Sequence, residues 1–146
     1  MDSVRKDTET VRKPRSDRVP RFYALVDCDP DGMSIMSTYK YGSMAHASQN
    51  AKLNVPSIRW LGLRTSDVVA GTQSDDTLLP LTARDRKKAL AMLSSHPVWG
   101  PNGPELEWRA ELQQMLMLNM KAELETLYSR NGGLEQWLND KMTCMA

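Results

Sequence analysis

An α/β fold with a parallel strand pair and a helical C-terminal extension is predicted by three observations. The apolar run Phe22-Tyr23-Ala24-Leu25-Val26 reads as a buried strand and ends in the acidic turn Asp27-Cys28-Asp29-Pro30-Asp31-Gly32. A second apolar run, Ile58-Arg59-Trp60-Leu61-Gly62-Leu63, follows a segment of helical pattern. After Thr82 the apolar residues recur at helical rather than alternating spacing. A strand, a crossover helix and a second strand of these lengths make a right-handed βαβ unit with parallel strands.

The elements follow in order. Positions 1–20 hold almost no large apolar side chain and mix Arg5, Lys6, Arg12, Lys13, Arg15 and Arg18 with Asp and Glu, so a disordered tail is expected there. The domain proper is expected over 21–146. Its first strand covers 22–26 and its first helix runs over about 33–53. Asn54-Val55-Pro56 then breaks the chain before the second strand, 58–63. Positions 71–79 read as a polar loop. Thr82, with Asp85 three residues on, opens the next helix, and Pro97 closes it. A turn over Trp99-Gly100-Pro101-Asn102-Gly103 leads to Pro104, which suits the first position of a long helix. Trp108, Leu112, Met115, Leu116 and Leu127 mark its apolar stripe, and Asn131-Gly132-Gly133 ends it. A short helix over 134–142 completes the chain.

The 146 residues, 40% of them apolar, suit one small domain with a tail. Nineteen basic against eighteen acidic side chains leave a formal charge of +1, so any nucleic-acid binding must come from a local patch. The two cysteines, Cys28 and Cys144, lack CxxC spacing, which argues against a zinc site or a disulfide framework and for a reducing compartment. No apolar stretch approaches the roughly 20 residues of a membrane span, and the amino terminus has no signal-like apolar core. A soluble, intracellular protein is expected.

The chemistry is concentrated in the acidic turn. Carboxylates at i and i+2 of an extended segment point to the same side, so Asp27 and Asp29 can converge on one hard divalent cation at a strand end. Three chemistries use such a sequence. An EF-hand matches Asp27, Asp29, Asp31 and Gly32, but position twelve, a bidentate Glu in that loop, is Thr38, and a strand precedes the motif where a helix belongs. A haloacid-dehalogenase-like phosphatase begins with a strand and Asp-x-Asp, but its later acidic pair has only Asp75-Asp76, in the polar loop, to stand for it. It remains the enzymatic alternative.

The third chemistry is a Toprim metal site, and the residues after the motif favour it. The run from Val26 to Gly32, Ile35, Ser37-Thr38-Tyr39-Lys40-Tyr41-Gly42-Ser43, Leu53 to Leu63, Ser66-Asp67, Leu79-Pro80-Leu81-Thr82 and Trp108-Arg109-x-Glu111-Leu112 closely resembles the topoisomerase VI A-subunit family. Its eukaryotic meiotic branch, which makes the double-strand breaks that initiate recombination, is the nearer likeness. The resemblance implies a partial Toprim, Rossmann-like parallel sheet. It also implies a DNA-binding, nuclear protein of meiotic recombination, related to the ATP-dependent type IIB topoisomerases. In that family a tyrosine on a winged-helix domain attacks DNA, assisted by Mg2+ on a Toprim glutamate and the Asp-x-Asp pair. Asp27 and Asp29 match the latter and are carried over as metal ligands.

The family's earlier glutamate strand and tyrosine domain have no match in the residues before Phe22, so Tyr23, Tyr39, Tyr41 and Tyr128 are not assigned the nucleophile's role. The reading is therefore of a carboxy-terminal piece without strand-cleaving activity of its own. The implied partners are DNA, a second copy or a topoisomerase VI B-like subunit, and other recombination proteins, with no membrane. A non-catalytic interaction fragment is the alternative from another class. Asp31 is expected to cap the helix after it, with holding a metal-bound water as the alternative. Lys40 and Arg64 lie close enough in sequence to be candidate DNA contacts. Arg84, Arg86, Lys87 and Lys88 read as a solvated helical face, and Met115, Met117 and Met120 as core or a helix-docking surface. His46 and His96 have no ligand-spaced partners, and Cys28 reads as a small strand-end residue.

Overall fold

The computed structural model describes residues 19–43, 54–71 and 77–145. Most of the expected tail, the second half of the expected first helix and most of the polar loop, with Asp75-Asp76, lie outside these residues. The described elements are β1 (Tyr23–Leu25), α1 (Pro30–Tyr41), β2 (Arg59–Gly62), α2 (Thr65–Gly71), β3 (Leu79–Pro80) and α3 (Ala83–Ser95). They continue with α4 (Leu106–Leu118), β4 (Met120–Lys121), a 3-10 turn (Leu124–Leu127) and α5 (Gly133–Cys144).

β1 and β2 pair in parallel, with Tyr23 opposite Arg59 and Ala24 opposite Trp60, as the βαβ reading requires. An irregularity after Ala24 shifts the register so that Leu25 faces Gly62. The ladder continues past both strands, with Val26 N–H donating to the Gly62 carbonyl and Leu63 N–H to that of Val26, each at 2.8 Å. α1 begins at Pro30, earlier than its apolar pattern suggests, because proline at the first helical position gives up only an N–H that has no partner there. It ends at Tyr41, where Gly42 takes a positive φ of 84° and donates its N–H to Thr38.

The expected helix from Pro104 to the Asn131 stop is broken into parts. α4 starts at Leu106 and ends at Asn119, which adopts the left-handed conformation with φ 51°. Met120 and Lys121 then pair antiparallel with Pro80 and Leu79. The stretch from Leu116 to Leu124 has no proline or glycine, so its composition favours continued helix; pairing with a distant segment overrides that preference. The same pairing gives the expected polar loop a strand at its end. α2, absent from the sequence reading, occupies seven residues whose short span carries little helical periodicity. α3 has the full capping box: Thr82 Oγ1 accepts from Asp85 N–H at 3.1 Å and Asp85 Oδ2 from Thr82 N–H at 2.9 Å.

The core is built around tryptophan. Trp60 of β2, Trp99 of the turn and Trp108 of α4 are buried and pack edge-on or tilted, with ring centroids 5.5–6.3 Å apart. Met33 and Met36 of α1, Leu112 and Met115 of α4, Leu63 and Leu127 complete the same cluster. Met115 is thus core, whereas Met117 points to solvent. Two other residues of the Trp108-Leu112 segment tie elements together. Arg109 donates to the Leu93 and Trp99 carbonyls, holding the turn against the end of α3. Glu111 accepts from the Ser66 N–H at 2.9 Å and hydroxyl at 2.6 Å, covering the start of α2.

Replacing Trp108 by Ala removes the ring that touches both other tryptophans and is expected to cost about 3–5 kcal/mol, read as a lowered urea midpoint. Among the described residues the parallel sheet has only two strands, and Phe22, at the start of β1, is half-exposed. Such an edge invites pairing with another chain. Concentration-dependent self-association in sedimentation velocity is expected; a monomer with one sharp unfolding transition at all concentrations contradicts it.

Candidate metal and DNA site

The acidic turn lies at the carboxyl end of β1, where a parallel sheet opens its crevice. Three consecutive residues there are each fixed by a different backbone partner. Asp27 Oδ1 accepts the Leu124 N–H at 2.7 Å, which ties the strand end to the 3-10 turn. Cys28 exchanges backbone bonds with Ala122, N–H to carbonyl at 2.9 and 3.1 Å, and so joins the parallel sheet to the chain leaving β4. Asp29 is the N-cap of α1, with an extended backbone and Oδ1 accepting the Gly32 N–H at 2.6 Å. Gly32 permits this close turn, since a Cβ there would lie 2.5 Å from the Asp27 carbonyl oxygen.

The cap expected from Asp31 is therefore supplied by Asp29. Asp29 has the extended backbone that an N-cap needs, whereas Asp31 is already inside the first helical turn. Asp31 instead makes a largely exposed ion pair with Lys88 at 2.6 Å. The early helix start also excludes an EF-hand loop, since 30–41 is helical.

With one oxygen of each carboxylate held by a backbone N–H, Oδ2 of Asp27 and of Asp29 has no hydrogen bond among the described residues. Burial pushes the Asp29 carboxyl above the usual range; the Gly32 N–H opposes that, and the charges of Asp27, Asp31 and Asp85 add to it. No third His, Cys, Asp or Glu joins them to form a metal-holding cluster among the described residues. Two carboxylates suit Mg2+, which keeps several waters and takes its other ligands from substrate phosphates. Between them, the Cys28 thiol is buried against Thr65, and burial above all pushes it up to about 12, so it is inert.

The two candidate DNA contacts are bound within the protein. Lys40 Nζ pairs with Glu105 at 2.6 Å and lies over the Trp108 ring, 5.2 Å from its centroid. Glu105 also accepts the Tyr41 hydroxyl at 2.6 Å. Burial first, and then Glu105, raises the Tyr41 hydroxyl above its ordinary value, making it a poor nucleophile. Arg64 donates to the Trp60 carbonyl and stacks over that ring at 5.1 Å. Nothing in the local sequence marked Glu105 or the Leu124 N–H, and Glu111 stood out only within the family-like Trp108–Leu112 run, because each acts on a residue far away along the chain.

The ordered motifs have a counterpart in known proteins. The Toprim domain family of topoisomerase 6 A-subunit/Spo11 proteins matches residues 16–142. The chain belongs to this family. The Homo sapiens "Meiotic recombination protein SPO11" is 43% identical over 109 residues, 75% of this chain and 26% of that protein. The Oryza sativa subsp. indica "Meiotic recombination protein SPO11-1" is 43% identical over 105 residues, 72% of the chain and 27% of the relative. The DNA topoisomerase 6 A-subunit of Arabidopsis thaliana is 35% identical over 119 residues, 82% of the chain and 27% of the relative. The chain thus spans about a quarter of the length of these relatives. The Toprim fold is the α/β class anticipated from the strand and helix pattern, and Toprim domains are in general metal-binding. No described helix of this Spo11-family chain is long and apolar enough to cross a membrane.

One charge pair beside the site has a pH signature. Asp85 Oδ2 takes Lys121 Nζ at 2.7 Å, linking α3 to β4. Burial alone would raise the Asp85 carboxyl, but Lys121 and Thr82 outweigh it and hold it below the usual range. A depressed carboxyl stabilises above its unfolded pKa of about 3.9, and that contribution disappears as pH falls through the folded value. Asp85→Ala is expected to cost about 1–2 kcal/mol at pH 7. The gap in Tm between native and variant should close on acidification towards pH 3, and a gap that widens contradicts the assignment.

Proposed function

We propose that this chain is the metal-holding Toprim portion of a protein that forms DNA double-strand breaks in meiotic recombination, with Asp27 and Asp29 as Mg2+ ligands on its DNA-facing side. The observation that carries the reading is the pair of Oδ2 atoms left without hydrogen bonds at a strand end, in the Asp-x-Asp position of a Spo11-family Toprim domain. Bound there, Mg2+ would supply positive charge to phosphate oxygens and orient the displacement at phosphorus. The residues of this chain do the rest. Leu124 and Gly32 N–H groups aim the carboxylates, and the Cys28–Ala122 bridge holds them at a fixed spacing from the 3-10 turn.

The names of the relatives support DNA as the ligand and a multi-subunit assembly; in this proposal the chain acts in the nucleus and its partner is a second copy, a topoisomerase VI B-like subunit or other recombination proteins. Lys40 and Arg64 contribute as DNA contacts in this proposal only by exchanging their present bonds, to Glu105 and the Trp60 carbonyl, for phosphate. Neither a phosphatase nor a calcium loop draws support from the family match.

Asp27→Asn and Asp29→Asn test the metal role, since Asn keeps an acceptor oxygen and caps a helix as well as Asp does. The native chain is expected to gain Tm with millimolar Mg2+, by the amount that binding the folded state alone provides, about 2.7 kcal/mol at a hundredfold excess over Kd. Both variants should fold and lose that gain, together with Mg2+-dependent DNA binding. An undiminished Mg2+ response in the double variant would sink the reading.

A further inference from the structure

A cavity of about 350 Å3 opens beside the acidic turn, and nothing in the metal reading uses it. Its wall includes Ala122, the residue bridged to Cys28, and Thr126 of the 3-10 turn, whose first residue, Leu124, holds Asp27. One short segment therefore bonds to the acidic turn and also lines the cavity. The remaining lining is mostly polar: Ser129, Arg130, Asn131 and Gln136, with Trp137 and Asp140 from α5.

Arg130 is the unusual member. Arg59, Arg64, Arg86 and Arg109 each donate to backbone carbonyls at 2.7–2.9 Å. Arg130 has one long bond, 3.3 Å, to the Asp67 carbonyl, and no carboxylate partner among the described residues. A half-buried guanidinium whose donors are largely unused among the described residues, in a concave wall, suits a phosphate oxygen pair. Asp140, whose Oδ1 takes the Gln136 amide at 2.8 Å, makes the cavity unsuited to a bare anion. An acceptor in the same lining as a guanidinium matches a ligand with both a phosphate and an amino-bearing base. Trp137 adds an aromatic wall, and the volume lies within the range of small-molecule sites.

We propose that this cavity binds one unpaired nucleotide of a DNA strand, with Arg130 on its phosphate and the Asp140 side on its base. The proposal rests on the DNA reading above and adds a subsite to it, next to the carboxylates but separate from them. A base must leave its stack to enter such a cavity, so single strands are preferred over duplex.

Two variants of the full chain test it. Arg130→Gln removes the charge. Gly71→Ala leaves Arg130 in place but displaces it, because a Cβ on Gly71 would collide with the guanidinium, the far end of a flexible side chain. In EDTA, fluorescence anisotropy with a labelled single-stranded oligonucleotide should show roughly tenfold weaker binding for both, with duplex affinity little changed. Both should keep the Mg2+ gain in Tm, whereas Asp27→Asn with Asp29→Asn should lose that gain and keep the Arg130-dependent binding. Equal losses for duplex and single strand would make Arg130 an ordinary backbone contact and overturn the proposal. So would unchanged single-strand affinity in both variants, no single-strand binding by the native chain, or displacement by equimolar inorganic phosphate. None of these outcomes bears on the Mg2+ response, so the metal reading stands or falls by its own test.

Discussion

The rest of the molecule depends on the bond between Asp27 and the Leu124 N–H, made across 97 residues of chain. It works with the Cys28–Ala122 bridge to lay the segment after β4 across the end of the parallel sheet. That strap continues the β3–β4 pairing that ends α4 at Asn119 and ties it to the parallel sheet. The strap also solves an electrostatic problem. Carboxylates crowded at one turn repel each other, and each backbone N–H directed at one of them offsets part of that cost. What is left over is one oxygen on each of Asp27 and Asp29 with no hydrogen bond among the described residues.

Around this joint the packing is aromatic and the polar ties are long-range. Trp60, Trp99 and Trp108 come from a strand, a turn and a helix, and their mutual contact determines how β2, the turn and α4 sit together. The indole N–H groups of Trp60 and Trp99 have no partner among the described residues, a cost that the buried ring area offsets. Glu105 and Glu111, one at each end of the first turn and a half of α4, reach out to α1 and α2. Residues that look like a surface stripe are in this way the fasteners of the core. The same arrangement explains why Lys40 is half-hidden: its charge balances Glu105 beside Trp108.

α5 is held differently. It buries no residue fully and is attached by the Lys141–Asp67 pair at 2.5 Å, by Arg59 on the Met145 carbonyl at 2.9 Å, and by Trp137 against Gly62. Gly62 lies opposite Leu25 in the sheet, so α5 covers the same carboxyl end from which the acidic turn emerges. The Asp27 and Asp29 carboxylates, the polar cavity and this helix thus share one end of the sheet, where the dipoles and loops of parallel α/β structures collect their ligands.

Much of this was legible in the sequence alone. Apolar runs determined both parallel strands, Thr82 and Asp85 determined a helix start, and the order of motifs around Asp27 and Asp29 determined the family. These are local signals, carried by neighbours within a few residues. The identity of the N-cap turned on backbone geometry at Asp29 and Asp31, which a pattern of three acids does not resolve. The end of α4, the meeting of three tryptophans, the partners of Lys40 and Arg64, and the acceptor for Leu124 N–H were decided only by tertiary structure. In each case the deciding partner lies far along the chain, and a distant hydrogen bond or ring contact outweighs local preferences worth a few tenths of a kcal/mol per residue.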